Sequence, residues 1–356
     1  YYNDIKDQIL HTSAAASMGG RSMLMNIGEL TNKGIELSVY GTPIQNKDWN
    51  WELRGNLAWN KNTVKKLADG LDVLSHQTFD GGAASLESHV GESMGDWYAY
   101  TWKTDDKGNY IIGADGLRIA DKTERHKVGN AMPKMTGGFG TSLRYKNWAL
   151  DMSFDFRIGG DVFNQPWQYM MDAGNIKDAV GARDAASGGL FYYSTADDVS
   201  KKGSIVRVDP STISNYKRGE TKIDGHLVWD NGVIQKGVKE DGTPNDIIVT
   251  QFEINDSQYG WGTGANQSYA DAIQKNSYVK CREISLAYTL PTSLTKKFAC
   301  TNLTISAFAR NPFYIYRSLK LFDSEASDGT SWIYQAQIGG STASARTFGV
   351  SLRASF

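Results

Sequence analysis

Ser293 and Lys296 stand at the Ser-x-x-Lys spacing of a nucleophile beside its base, the nearest approach to a catalytic motif in the chain. They fall in a short predicted turn between two strands and have no partner motif. There is no Gly-x-Ser-x-Gly elbow, no His-Glu-x-x-His pair and no P-loop. The five histidines, His11, His76, His89, His126 and His226, are dispersed rather than set at metal-ligand spacing. Asp105-Asp106-Lys107-Gly108-Asn109 begins like a calcium loop but lacks the closing Glu, so it reads as a turn. Gly137-Gly138-Phe139-Gly140 precedes a strand, not a helix, and so is no phosphate cradle; small residues facing an interior explain it. The chain therefore reads as no enzyme, with no catalytic residue, no metal and no cofactor. Two kinds of chemistry remain. Full charges sit at mid-strand (Glu52, Arg54, Asp151, Asp155), and aromatic rings suited to stacking occupy non-strand segments: Trp167, Tyr169, Trp229, Tyr259, Trp261, Trp332 and Tyr334.

Both must be positioned by strands, because the chain alternates apolar and polar residues with period two. In 347–356 the even positions carry Phe348, Val350, Leu352, Ala354 and Phe356 against Thr347, Gly349, Ser351, Arg353 and Ser355. In 147–158, Trp148, Leu150, Met152, Phe154, Phe156 and Ile158 alternate with Asn147, Ala149, Asp151, Ser153, Asp155 and Arg157. The same rhythm runs through 34–40, 50–60, 138–145 and 284–290. It is weaker at 303–308, where Phe308 falls among the polar positions. Strands of about 9–11 residues cross a bilayer when tilted, and a terminal aromatic suits a membrane barrel. Charges at mid-strand are costly in a dry sandwich core but not in a water-filled lumen. On pattern alone, a large soluble β-protein stays open.

Composition agrees. The chain has 356 residues, 22% charged and 40% hydrophobic, and no apolar run approaches the roughly eighteen residues of a membrane helix. Thirty-seven glycines and 12% aromatics suit strands, turns and interfacial girdles. A net charge of -1 with scattered basic residues gives no argument for nucleic acid. No signal peptide opens the sequence, which reads as part of a longer protein. Cys281 and Cys300 fall at opposite ends of a predicted hairpin, too far apart to pair, so two free thiols are expected.

Ten strands are expected, at 1–10, 33–43, 50–61, 95–104, 110–114, 134–145, 147–159, 278–290, 301–312 and 345–356. Of these, 95–114 alternates least well. Short connections at 44–49, around 105–109, at 145–147 and at 291–299 alternate with long ones at 11–31, 63–94, 115–133, 160–277 and 313–344. Outer-membrane barrels have short periplasmic turns and long extracellular loops, which places the C-terminus in the periplasm. The 160–277 segment is too long for an ordinary loop and reads as a cap with a short helix around 176–186. Trp51, Trp59, Trp148, Phe348 and Phe356 lie near strand ends and read as interface anchors.

Several stretches resemble one family. Asn26-Ile27-Gly28-Glu29-Leu30-Thr31-Asn32-Lys33-Gly34-Ile35-Glu36-Leu37 is similar to the N-x-G-E-x-x-N-x-G-x-E-L stretch of SusC/RagA-like TonB-dependent outer-membrane transporters. So are Trp51 with Asn60-Lys61-Asn62, Val64 and Leu67, and Val128-Gly129-Asn130-Ala131-Met132-Pro133 through Phe139. Tyr278-Val279-Lys280 with Ile284 to Pro291, and Arg346-Thr347-Phe348-Gly349, complete the series. The family commonly has Asn-Pro where Ala131-Met132 stand, a minor departure.

The resemblance implies an all-β, transmembrane antiparallel barrel of 22 strands, of which 1–356 would be about the last ten. The plug domain and first strands would precede Tyr1. It implies TonB-dependent import of nutrient oligomers, glycan or peptide, across the bacterial outer membrane. A SusD-like surface lipoprotein would close the mouth as a lid. The remaining barrel and plug, the TonB complex and membrane lipid would be the other partners. The loop aromatics would then meet cargo or lid, or pack the loops, and Asp151, Asp155 and Arg157 would line the channel or meet the plug. A passive porin or adhesin-type barrel is the alternative.

Overall fold

The structure is a computed structural model that describes the chain except for 14–21, 69, 80–81, 197–200, 261–266, 320, 328, 330 and 340–341. Nine strands form one antiparallel sheet: β1 (Tyr2–Ser13), β2 (Ser22–Gln45), β3 (Trp49–Lys66), β4 (Pro133–Tyr145), β5 (Trp148–Gly159), β6 (Tyr278–Thr289), β7 (Asn302–Arg310), β8 (Tyr314–Arg317) and β9 (Thr347–Ser355). Their order is β1-β2-β3-β4-β5-β6-β7-β9, with β8 continuing past β7 along the same strand, β6. Turns at 46–48, 146–147 and 290–301 join strands at one end, and the long segments 67–132, 160–277 and 318–346 leave from the other. Among the described residues, no helix is long and apolar enough to cross a membrane, which says nothing against strands.

Register carries each alternating pattern onto one face. Trp51 pairs with Leu143, Leu143 with Leu150, Leu150 with Leu286, Leu286 with Ala307 and Ala307 with Val350. One row away, Glu52 pairs with Ser142, Ser142 with Asp151 and Asp151 with Ser285. A slip of one residue in any pair would exchange the faces. The turn between β2 and β3 is set by Asn46, whose side-chain oxygen accepts the N–H groups of Asp48 at 3.0 Å and Trp49 at 2.9 Å.

Phe308, the apparent exception, sits on the polar face above Gly349. A Cβ there would lie 2.5 Å from its ring, so the missing side chain makes its room. Gly137 corrects one expectation: it faces the apolar side, where the ring of Phe156 covers it. Gly138 and Gly140 do face the polar side, opposite Asn56 and Arg54.

Two local expectations give way to the cap. The segment 95–104 is not in the main sheet; Asp96–Trp102 lies in a separate sheet with Val73–Phe79, Ala84–His89 and Ala120–Asn130. Ile111–Ile112 pairs in parallel with Val238–Lys239, and β3 pairs directly with β4. Trp97 and Ala99 alternate because they face the cap's core, not lipid. The helix expected around 176–186 is two single 3-10 turns, 177–179 and 185–187, separated by Ala182 at a left-handed φ of 52°. The real helix comes earlier, at α1 (Gln165–Asp172), capped by the Asn164 side chain and opened by Pro166.

The cap is one body built from all three long segments. Phe79, Leu86 and Trp97 from the first, Phe163, Tyr269 and Ala272 from the second, and Ala336 from the third form a shared buried cluster. A small sheet also joins Val162–Asn164 to Ile273–Gln274 and Gln337–Ile338. No disulfide joins Cys281 and Cys300, and both are buried.

Candidate functional site

The polar face of the sheet and the cap above it define the site. Along that face Asn50 donates to Glu52 at 2.9 Å, and Asn56 accepts the N–H of Gly138 at 2.7 Å. Gly140 leaves space for Arg54; a Cβ there would lie 2.9 Å from its Nε. The surface is therefore hydrogen-bonded and charged across β3 and β4.

At the cap end these charges become a network. β6 carries a bulge at Arg282, because Ser153 pairs with Glu283 while Phe154 pairs with Cys281. Bulges re-aim side chains. Arg282 bonds both Asp155 on β5 and Glu325 in the third long segment. Lys280, only 1% exposed, bonds Glu325 and donates to Ser344 Oγ at 2.6 Å. Asp323 accepts from the hydroxyls of Tyr314 and Ser344, each at 2.5 Å, and from the Ser344 N–H at 2.9 Å. Burial opposes ionisation of Asp323, but the Ser344 and Tyr314 hydroxyls prevail and hold its pKa down at about 2. Two wall cations thus tie the 318–346 segment to the inside of the sheet. Leaving the buried Lys280 without its carboxylate would be costly, which couples the wall to this segment. Sequence reasoning missed this network, although adjacent charges at Arg282-Glu283 break the period and signal the bulge.

The loop aromatics divide. Trp167 on α1 meets Tyr259 on α2 (Gln251–Tyr259) edge-on, with centroids 5.5 Å apart, and Tyr259 is buried. Trp332 stands edge-on to His76 at 4.8 Å and covers Gly95, where a Cβ would come within 2.8 Å of its ring. Trp167 and Trp332 both pack against the shared core. Trp229, half-buried, lies apart in a strand paired at Tyr192. Tyr169 and Tyr334 are the exposed pair, at 40% and 52%. The Tyr169 hydroxyl lies 2.9 Å from Gln165 Nε2, which donates to it. Trp261 lies outside the described residues.

Inside the cap sheet, polar groups are enclosed. Burial pushes the His76 pKa down to about 4 despite the charge of Glu87, and Nε2 lies 2.8 Å from Ser88 Oγ. Burial also raises Asp96, against the pull of Asn130 and Lys127, which contact it at 2.5 and 2.6 Å. No group of three or more His, Cys, Asp and Glu suited to a metal occurs among the described residues.

An antiparallel sheet with one apolar and one polar face, short turns at one end and a folded cap at the other is the wall of a transmembrane β-barrel. Comparison with known proteins narrows the class. TonB-dependent receptor P3 of Formosa agariphila is 31% identical over 167 residues, 41% of this chain and 17% of its own length. TonB-dependent receptor SusC of Bacteroides thetaiotaomicron is 29% identical over 145 residues, 38% of this chain and 14% of its own. A RagAB peptide transporter structure superposes over 100% of the chain and 32% of its own length, with a TM-score of 0.59 at 18% identity. No known family profile matches. The chain is SusC/RagA-like, and it spans less than a third of the length of the relatives it matches.

Proposed function

We propose that this chain is the C-terminal part of the barrel of an energy-coupled importer, which takes nutrient oligomers, glycan or peptide, across the bacterial outer membrane. In this reading TonB acts on a plug carried by the rest of the protein, a SusD-like lipoprotein closes over the cap, and no bond is made or broken. The observation that carries it is the joining of a polar, charged wall face to a cap by a partly buried network of charges at one end only, on a chain whose relatives are named TonB-dependent receptors. Structures titled as the RagAB peptide importer in open-open and closed-closed states lend support through their fold. The short turns would face the periplasm and the cap the outside, with Phe356 on the periplasmic side.

The deciding experiment measures uptake of labelled oligomers by cells carrying the full-length protein, with and without TonB. The importer reading expects uptake to collapse without TonB. Uptake that is indifferent to TonB would assign a passive porin instead.

A further inference from the structure

The apolar face of the wall is not an even surface. β2 bulges between Gly41 and Ile44, so Pro43 stands out from the strand. Beside it two outward positions, Gly41 on β2 and Gly55 on β3, carry no side chain. A Cβ at Gly41 would meet nothing within 4 Å, and one at Gly55 only the Gly138 carbonyl at 3.8 Å. The result is a furrow of about 740 Å³, banked by Val39 and Pro43 on one side and by Phe139, Leu150 and Phe154 on the other. Two polar side chains face it, Trp51 and Thr141, and Trp51 Nε1 donates to Thr141 Oγ1 at 2.8 Å; Arg54 also borders it but carries its guanidinium on the polar face, against Gly140. From Trp51 to Gly55 the furrow runs roughly 13 Å, close to half of a hydrocarbon core of about 30 Å.

Its turn-end mouth is framed by paired aromatics at tilted angles, Trp49 with Tyr145 at 4.2 Å and Trp148 with Tyr288 at 4.6 Å. Lys146 extends its ammonium over the outer Tyr145 ring, 5.3 Å from the centroid. Its N–H donates to the Asp48 carbonyl at 2.7 Å, which brings the turn of Lys47 alongside. Neither lysine forms an ion pair with a carboxylate among the described residues.

We propose that this furrow is a seat for one anionic glycerophospholipid of the bilayer, with an acyl chain along Gly41 and Gly55 and its phosphate on Lys146 and Lys47. The proposal rests on the membrane-barrel reading. A length of one leaflet, an apolar lining and cations only at the mouth suit a lipid chain, whereas a peptide or glycan would find only the bonded pair of Trp51 and Thr141 in the furrow.

The test uses the full-length protein from outer membranes, with native mass spectrometry in the presence of phosphatidylglycerol or phosphatidylethanolamine. One phosphatidylglycerol should remain bound in preference. Gly41→Leu/Gly55→Leu fills open space without a clash and should abolish that retention. Lys47→Ser and Lys146→Asn should each weaken the headgroup preference about fivefold. Equal retention of both lipids by the wild type, or unchanged retention by the filled variant, would mean annular lipid only and overturn the seat. A protein that does not fractionate with the outer membrane at all would overturn the barrel reading, a separate result.

Discussion

In the wall, an apolar side chain such as Val350 meets its cross-strand neighbours and then open surface, 77% exposed, whereas Trp97 in the cap is 1% exposed among residues of three loops. The wall's outer residues are left for a lipid solvent to cover, and its stability comes from ladders between neighbouring strands. The cap buries its own core, as a water-soluble domain does, and adds ion pairs whose carboxylates, Asp96 and Glu87, are buried. One chain thus holds two regions made for different solvents, joined by Lys280 and Arg282. Substitutions should separate the two.

The largest effect is expected in the cap. Trp97→Ala removes a fully buried ring whose Nε1 donates to the Asp161 carbonyl at 3.0 Å. It should cost about 3–5 kcal/mol of cap stability while insertion is unchanged, read by protease protection of the cap in membrane-inserted protein. Next comes the wall: Phe154, stacked on Phe139 at 4.8 Å, faces lipid, so Phe154→Arg should cost about 2–4 kcal/mol in refolding into vesicles. Ser153→Arg, on the polar face one residue away, should cost much less. Equal losses at 153 and 154 would erase the distinction between faces.

Acid should loosen the two halves of the cap in different windows. His76, held near pKa 4 against an ordinary 6.5, binds its proton more readily when unfolded, so cap-sheet stability falls as pH drops from 6.5 toward 4. The loss is up to about 3 kcal/mol and should vanish in His76→Gln, followed by hydrogen exchange of 73–89. Asp323, lowered to about 2 from an ordinary 3.8, contributes stability that is present above 3.8 and lost as pH falls toward 2. The 318–346 segment should therefore stay docked through the first window. The smallest effect on folding is expected at the exposed aromatics: Tyr169→Ala and Tyr334→Ala should change stability within about 0.5 kcal/mol. If these rings meet cargo, uptake should fall although folding does not.

Most of the wall was legible because a strand facing lipid on one side and water on the other writes its face into every second residue. Strand order did not follow in the same way: Trp51 meets Leu143 directly, although 95–114 was expected to lie between their strands. The cap was not legible in this way. Its alternation at Trp97 and Ala99 looks like a wall strand until the partners, far away in sequence, are known. The helix at 165–172 carries its start signal in Asn164 and Pro166, ahead of the 176–186 stretch where a helix was expected. Of the loop aromatics, whether Trp167, Tyr259 and Trp332 turn inward depends on contacts between segments that no local pattern records. Lys280 and Arg282 were missed because their partners, Glu325 and Asp323, lie in a loop.

The central claim is that the nine-stranded sheet has one face in lipid and one in water. Nitroxide labels placed singly at each position from 148 to 158 in the full-length protein, reconstituted in bilayers, test it most directly. The account predicts oxygen accessibility that peaks at 148, 150, 152, 154 and 156, with water-soluble relaxant accessibility peaking at the positions between. Uniform exposure to the water-soluble reagent, or the reverse parity, would contradict it.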